Sequence, residues 1–268
     1  MLEALDPKDI QSGLQTQNLG KHLLFFEQLT STNTYLMNLA SQGEPEGTVV
    51  LAEEQTEGRG RLGRTWDAPP GTSLLFSVLL RPKGRLADAS KLSLVAALAV
   101  LRTIKEIVSL ASTIKWPNDV LIAGKKVCGI LVETNTATGA SSPLALILGV
   151  GLNVNQGPED FPLEFREQAT SLRLETGQEQ SRIHLMRSLL ESLEGLYLLF
   201  EQFGFPYLLT ELRQASAVLG KRVTVRAGML SVEGTVVDLD NEGRLLLKLD
   251  SGSVTFLSSG EITSIRSL

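Results

Sequence analysis

A chain of 268 residues with 43% hydrophobic and 21% charged content has the make-up of a globular protein, long enough for one large domain and a small one, and excludes disorder and fibre. Its 25 basic and 30 acidic residues leave a formal charge of −5, which weighs against a surface built throughout for nucleic acid. The single cysteine rules out an internal disulfide, no apolar run reaches the roughly 20 residues of a bilayer span, and MLEALDPKDIQ has no signal-peptide pattern, so a cytoplasmic protein is expected.

Residues 1–20 read as a short polar helix or arm, too short for a helix-turn-helix module. HLLFFEQ (22–28) predicts a first strand. Ser31, Thr32 and Asn33 then offer helix N-caps, followed by the apolar spacing of Leu36, Leu39 and Ala40. The N–H groups of such a helix start favour a carboxylate or amide-like oxygen, although S-T-N by itself is an ordinary cap. GTVVLAEEQ (47–55) predicts a buried strand entering a loop, and SLLFSVLLRP (73–82) a strand leaving it. In that loop Gly58, Gly60 and Gly63 let the backbone come close to a ligand, while Arg59, Arg61 and Arg64 present fixed forks of donors to carboxylate or phosphate oxygens. Glu53, Glu54 and Glu57 stand just before it, which suits one small anion better than a polyanion.

Residues 86–109 predict a helix that is apolar nearly all round between Leu92 and Leu101, hence packed between layers. Pro117 ends a short strand in IKWP, Asn118-Asp119 opens a turn, and AGK (123–125) makes a hairpin between two strands. Lys126 leaves this hairpin at the start of a strand, so its base is held while its stem reaches across a site, and Gly129 permits close approach of a ligand. Cys128 reads as a packed core thiol. With only His22 and His184 beside it there is no zinc constellation, and no G-x-S-x-G elbow supports a serine hydrolase. LALILGVGLNVN (144–155) is a buried strand ending in Asn153, whose amide suits a base edge or ribose as well as a simple turn. Ile183, Met186, Leu190, Leu193, Tyr197 and Phe200 mark an amphipathic helix. After Leu212 the pattern changes to five short alternating strands separated by Gly-containing turns, a small barrel with a boundary near Ala215.

Taken together, STN at 31–33, Q-x-x-G-R-G-R-x-G-R-x-W at 55–66, KWPND at 115–119, K-x-x-G-I at 126–130 and G-x-G-x-N at 149–153 make the chain similar to biotin protein ligases throughout its length. The resemblance implies an α+β fold: an arm at 1–20, a mixed-sheet catalytic domain at 21–214 related to lipoate ligases, and an SH3-like barrel at 215–268. Without a winged helix before the arm, the chain resembles the single-function members. The implied reaction makes biotinyl-5′-AMP from biotin and ATP with Mg²⁺, then transfers biotin to a lysine of a biotin carboxyl carrier domain.

By the same resemblance, Lys126 and Arg61 lie near the biotin carboxylate and the α-phosphate. Arg59 orders the loop, and Gly58 and Gly60 line the biotin site with it. Ser31, Thr32, Asn33 and Gln55 hold the ureido head, and Gly129 lines the apolar body. Arg64, Trp66, Asn118, Asp119 and Asn153 serve ATP, with Asp119 as the residue nearest to a Mg²⁺ role. No DNA or membrane partner is implied, and pairing of two copies through a sheet edge is. Leu62 departs from relatives that carry a further basic residue there. Two alternatives remain: a lipoate or octanoate ligase of the same fold group, and a non-enzymatic biotin-responsive regulator.

Overall fold

A computed structural model describes residues 4–83, 89–135 and 145–266. In chain order its elements are α1 (Pro7–Ser12), β1 (Leu23–Leu29), α2 (Thr32–Ser41), β2 (Val49–Gln55), β3 (Ser73–Leu80), α3 (Ala89–Val108), β4 (Thr113–Lys115), β5 (Asp119–Ile122) and β6 (Lys125–Asn135). There follow β7 (Ala145–Asn153), α4 (Leu172–Thr176), α5 (Arg182–Phe203), α6 (Leu209–Gln214), β8 (Arg222–Ala227), β9 (Leu230–Leu239), β10 (Leu245–Lys248), β11 (Val254–Leu257) and β12 (Glu261–Arg266). The expected helix start at 86–88 and strand start at Leu144 fall outside the described residues.

The large sheet runs β1-β2-β3-β7-β6-β5-β4. Only β1 and β2 are parallel, joined by the crossover helix α2, and every other neighbour is antiparallel, so the sheet is mixed as expected. Alternation sorts its residues into two faces. Val49, Leu51, Leu74, Phe76, Val78, Leu148, Val150 and Leu152 join the main core beneath α3 and α5, while Val50, Leu79 and Ile147 pack with Leu36 and Ala40 of α2. The buried run from Leu92 to Val100 in α3 is explained by its place between the sheet and α5. No helix among the described residues is long and apolar enough to cross a membrane.

A one-residue irregularity in β6 aims the chemistry. Leu121 pairs with Lys126 but Val120 pairs with Cys128, so Val127 is an extra residue in the ladder. Val127 and Cys128 both enter the main core. The bulge therefore reverses the alternation, and Lys126, which a regular strand would point into the core with Cys128, joins Gly129, Leu131 and Glu133 on the opposite face.

The short helix expected among residues 1–20 is α1, and this segment is an integral layer of the fold. Leu5, Ile10, Leu14 and Leu19 are buried, and the Glu194 carboxylate of α5 accepts hydrogen bonds from the backbone N–H of Gln17, Asn18 and Leu19 at 2.6, 2.7 and 2.8 Å. Hydrogen bonds to a buried charge are among the stronger ones, so Glu194→Gln is expected to cost about 2 kcal/mol of stability. A shift in the urea midpoint with unchanged slope checks this, and an unmoved midpoint contradicts it.

The carboxy-terminal strands form an antiparallel sheet in the order β11-β10-β9-β8-β12, the five-stranded unit expected from the sequence. Val223, Val225, Val236, Leu245, Leu247 and Ile262 are continuous with the main core, and Trp116 donates its indole N–H to Gly243 O at 3.0 Å. The small unit is thus packed against the back of the KWPND turn.

Candidate functional site

Where α2 ends its cover of the sheet, a cleft opens on the same face. Its floor consists of glycines. Gly149 and Gly151 alternate along β7, and Gly129 of β6 is paired with Gly151 across the ladder. Each is required by close approach. A Cβ at Gly149 would stand 2.3 Å from Asn33 Oδ1, one at Gly151 2.5 Å from Trp66 Cε2, and one at Gly129 2.7 Å from Trp66 Cζ3. Side chains from elsewhere, Asn33 and Trp66, lie directly on the sheet at these positions.

One end of the cleft is polar and neutral. Ser31 caps α2, and Thr32 donates through its backbone N–H and its hydroxyl to Gln55 Oε1 at 2.8 and 3.1 Å. Ser77 donates either to Thr32 Oγ1 at 2.7 Å or to Asn33 Oδ1 at 2.6 Å. Asn33 Nδ2 donates to Glu133 Oε2 at 2.8 Å. Ser31, Thr32 and Asn33 are all buried, so these fixed amide and hydroxyl groups can read a small polar head without first reorganising.

The other end carries cations. The loop is a closed turn, with Gly60 N–H donating to Arg64 O and Trp66 N–H to Gly58 O. Gly58 works inside this turn: a Cβ there would meet Trp66 O at 2.2 Å. Leu62 sits at the exposed tip with φ 57°. Arg61 Nη1 donates to Asn118 Oδ1 at 2.9 Å, and Asn118 Nδ2 donates to Ile130 O at 2.9 Å, so the KWPND turn holds this guanidinium in place. Burial pulls Arg61 below the usual arginine pKa, against the opposing fields of Asp119 and Glu261. It remains a cation at neutral pH and has lost water that an anion could replace. Lys126 Nζ pairs with Asp119 Oδ1 at 2.7 Å and lies 5.2 Å from the centre of the Trp66 ring. Its backbone is pinned from the far side by Lys126 N–H to Gln168 O and Thr170 N–H to Lys126 O.

The structure thus gathers Ser31, Thr32, Asn33, Gln55, Arg59, Gly60, Arg61, Trp66, Asn118, Lys126 and Gly129 on one cleft, with Asp119 joined through Lys126. Besides Asp119, three expected residues stand off its wall. Gly58 shapes the loop, and Arg64 forms an ion pair with Glu261 of β12. Asn153, two positions past Gly151, donates to Thr170 O at 3.0 Å and accepts from Gln156 Nε2 at 3.0 Å. Glu133 and Ser77 are not singled out from sequence, and Gly149 and Gly151, part of the G-x-G-x-N motif, are given no role of their own there. A lone serine inside the buried run SLLFSVLL, and glycines at alternate positions of GVGLN, are the signals that mark them. Among the described residues there is no cluster of three metal-ligating side chains.

A mixed sheet carrying a neutral hydrogen-bonding pocket at one end of a glycine floor and two fixed cations at the other defines a site for binding and activating a small carboxylic acid. Residues 25–153 match the biotin/lipoate A/B protein ligase family and residues 218–263 the biotin protein ligase C-terminal domain. The chain is 38% identical over 250 residues to the bifunctional ligase/repressor BirA of Bacillus subtilis, covering 92% of this chain and 76% of that protein. It is 36% identical over 270 residues to the biotin–(acetyl-CoA-carboxylase) ligase of Mycobacterium tuberculosis, covering 98% and 96%. The biotin protein ligase of Aquifex aeolicus, solved with biotin and ATP, superposes with a TM-score of 0.79 at 32% identity, covering 92% of this chain and 100% of that one. The chain belongs to the biotin protein ligase family.

Proposed function

We propose that this ligase joins biotin to ATP as biotinyl-5′-AMP and then passes the biotinyl group to a lysine of a biotin carrier domain. The observation that carries this reading is the placement of Arg61 and Lys126 at one end of a glycine-floored cleft whose other end is the Thr32–Asn33–Gln55 hydrogen-bonding pocket. A ureido head has both donors and acceptors for that pocket. A dithiolane or a plain alkyl chain offers that pocket no donors or acceptors and would gain nothing from its polar wall, which disfavours lipoate and octanoate.

In the first step a biotin carboxylate oxygen attacks the α-phosphorus and pyrophosphate leaves. Two anions must meet, and Arg61 and Lys126 offset their repulsion and stabilise the negative charge of the transition state. Asp119 holds Lys126 over the cleft, and Asn118 fixes Arg61. In the second step the carrier amine attacks the anhydride carbonyl, the acyl–oxygen bond breaks, and AMP leaves. Trp66 lies on the glycine floor with a buried indole N–H that has no hydrogen-bond partner among the described residues, which supports an adenine-side role. Asn153 and Arg64 belong to the same nucleotide end in this proposal. Asp119 is a single carboxylate already paired with Lys126, so a Mg²⁺ would be held chiefly by the ATP phosphates and water, adding charge neutralisation there.

Incubation with biotin, ATP and an isolated carrier domain is expected to add one biotinyl group to one carrier lysine, read by mass, and none after that lysine is changed to arginine. No transfer under any condition that yields adenylate would remove the second step. The three glycines of the loop, of which Gly63 lies at the exposed tip, lead to a further expectation: biotin with ATP protects Arg59, Arg61 and Arg64 from trypsin. An unchanged cleavage rate would contradict ordering of this loop by its ligands.

A further inference from the structure

We propose that Glu133 is a positioning residue that couples the biotin pocket to the arginine loop and so governs how long the activated intermediate is held. This rests on the biotin-adenylating function above. Glu133 stands on the cleft face of β6, opposite Ile147 of β7. One of its oxygens, Oε2, receives both Asn33 Nδ2 at 2.8 Å and Arg59 Nη2 at 2.9 Å. Asn33 is a wall of the neutral pocket, and Arg59 belongs to the loop that covers it. No other carboxylate among the described residues bridges these two parts.

The consequence follows from solvent exposure. The side chains of Arg59 and Glu133 are 47% and 28% exposed, so in the open cleft their attraction is screened and contributes little. A ligand that fills the pocket excludes that water and strengthens every charge interaction left inside. Asn33 holds the carboxylate in register, with its own amide oriented by Ser77 through Oδ1. Occupancy of the pocket is thereby converted into a firmer hold on Arg59, hence on the loop. Glu133 forms no hydrogen bond or ion pair with the cleft cations Arg61 or Lys126, so its effect falls on retention and not on the chemical step.

The test is Glu133→Gln, which keeps the side-chain length and an acceptor for Asn33 but removes the charge that holds Arg59. In single turnover at saturating biotin and ATP, adenylate formation is expected to fall by less than about threefold. Hydrolytic loss of biotinyl-AMP in the absence of carrier is expected to rise about tenfold, together with KM for biotin. Combining Arg59→Gln with Glu133→Gln should add little to the leakage, as for two residues acting through one contact. Leakage from the unaltered enzyme should rise with salt, and that from the variant should not. Wild-type leakage in Glu133→Gln, or a retained salt response, overturns the proposal. Should that variant fail to fold, Arg59→Gln alone must show the same leakage and salt insensitivity, and its behaving as wild type overturns the proposal equally. Failure of the unaltered enzyme to adenylate biotin would instead overturn the function on which the proposal rests.

Discussion

Lys126→Ala is expected to lower biotinyl-AMP formation by a factor of about a hundred or more while leaving the unfolding midpoint nearly unchanged. Removing one preorganised charge from a transition state of this kind typically costs about 3 kcal/mol. The side chain of Lys126 is 35% exposed and carries no packing in the core, so the fold does not depend on it. What the fold does depend on is the bulge at Val127, which seats Val127 and Cys128 in the core and turns Lys126 outward. The variant thus separates chemistry from architecture. Rapid-quench measurement of adenylate checks it, and a loss of under threefold would remove Lys126 from the mechanism.

Gly149→Ala is expected to raise KM for biotin by about a hundredfold, through geometry alone. Gly149 does not occupy the left-handed region, so alanine meets no backbone penalty, but its Cβ would stand 2.3 Å from Asn33 Oδ1. Asn33 must then leave the sheet, which breaks its hydrogen bonds to Ser77 and Glu133 at 2.6 and 2.8 Å. Loss of two such bonds at a binding wall, one of them to a carboxylate, amounts to about 3 kcal/mol. Gly151→Ala is the internal comparison. Its Cβ would meet Trp66 at 2.5 Å, so it should act mainly on KM for ATP. Equal effects of both substitutions on the two substrates would show that the glycine floor is not divided in this way.

Much of this site was legible before any coordinates. The glycine–arginine loop, the STN cap, the KWPND turn and the hairpin lysine are local patterns whose chemistry lies in neighbouring residues, and the strands and helices around them follow from apolar periodicity. What sequence could not supply were facts of register. Ser77, Asn33 and Glu133 come from three separate elements and meet only because β3 and β6 flank β7 in the sheet. The bulge at Val127 is equally invisible, since K-K-V-C-G-I reads as a regular strand until its partner is known. Arg64 shows a different limit. Its type and place suggest phosphate, yet here it is paired with Glu261, some 200 residues further along the chain. The amino-terminal residues mislead in the other direction, because their polar letters hide Leu5, Ile10, Leu14 and Leu19, which bury against the sheet and α5.

The account stands most directly on acid activation at the cation end of the cleft. Exchange of labelled pyrophosphate into ATP measures that step without carrier or product analysis. With Mg²⁺ present, exchange is expected with biotin and not with lipoate or octanoate, and it is expected to vanish in Lys126→Ala. Exchange that required lipoate in place of biotin, or that persisted without Lys126, would contradict the roles assigned here to the neutral pocket and to the lysine.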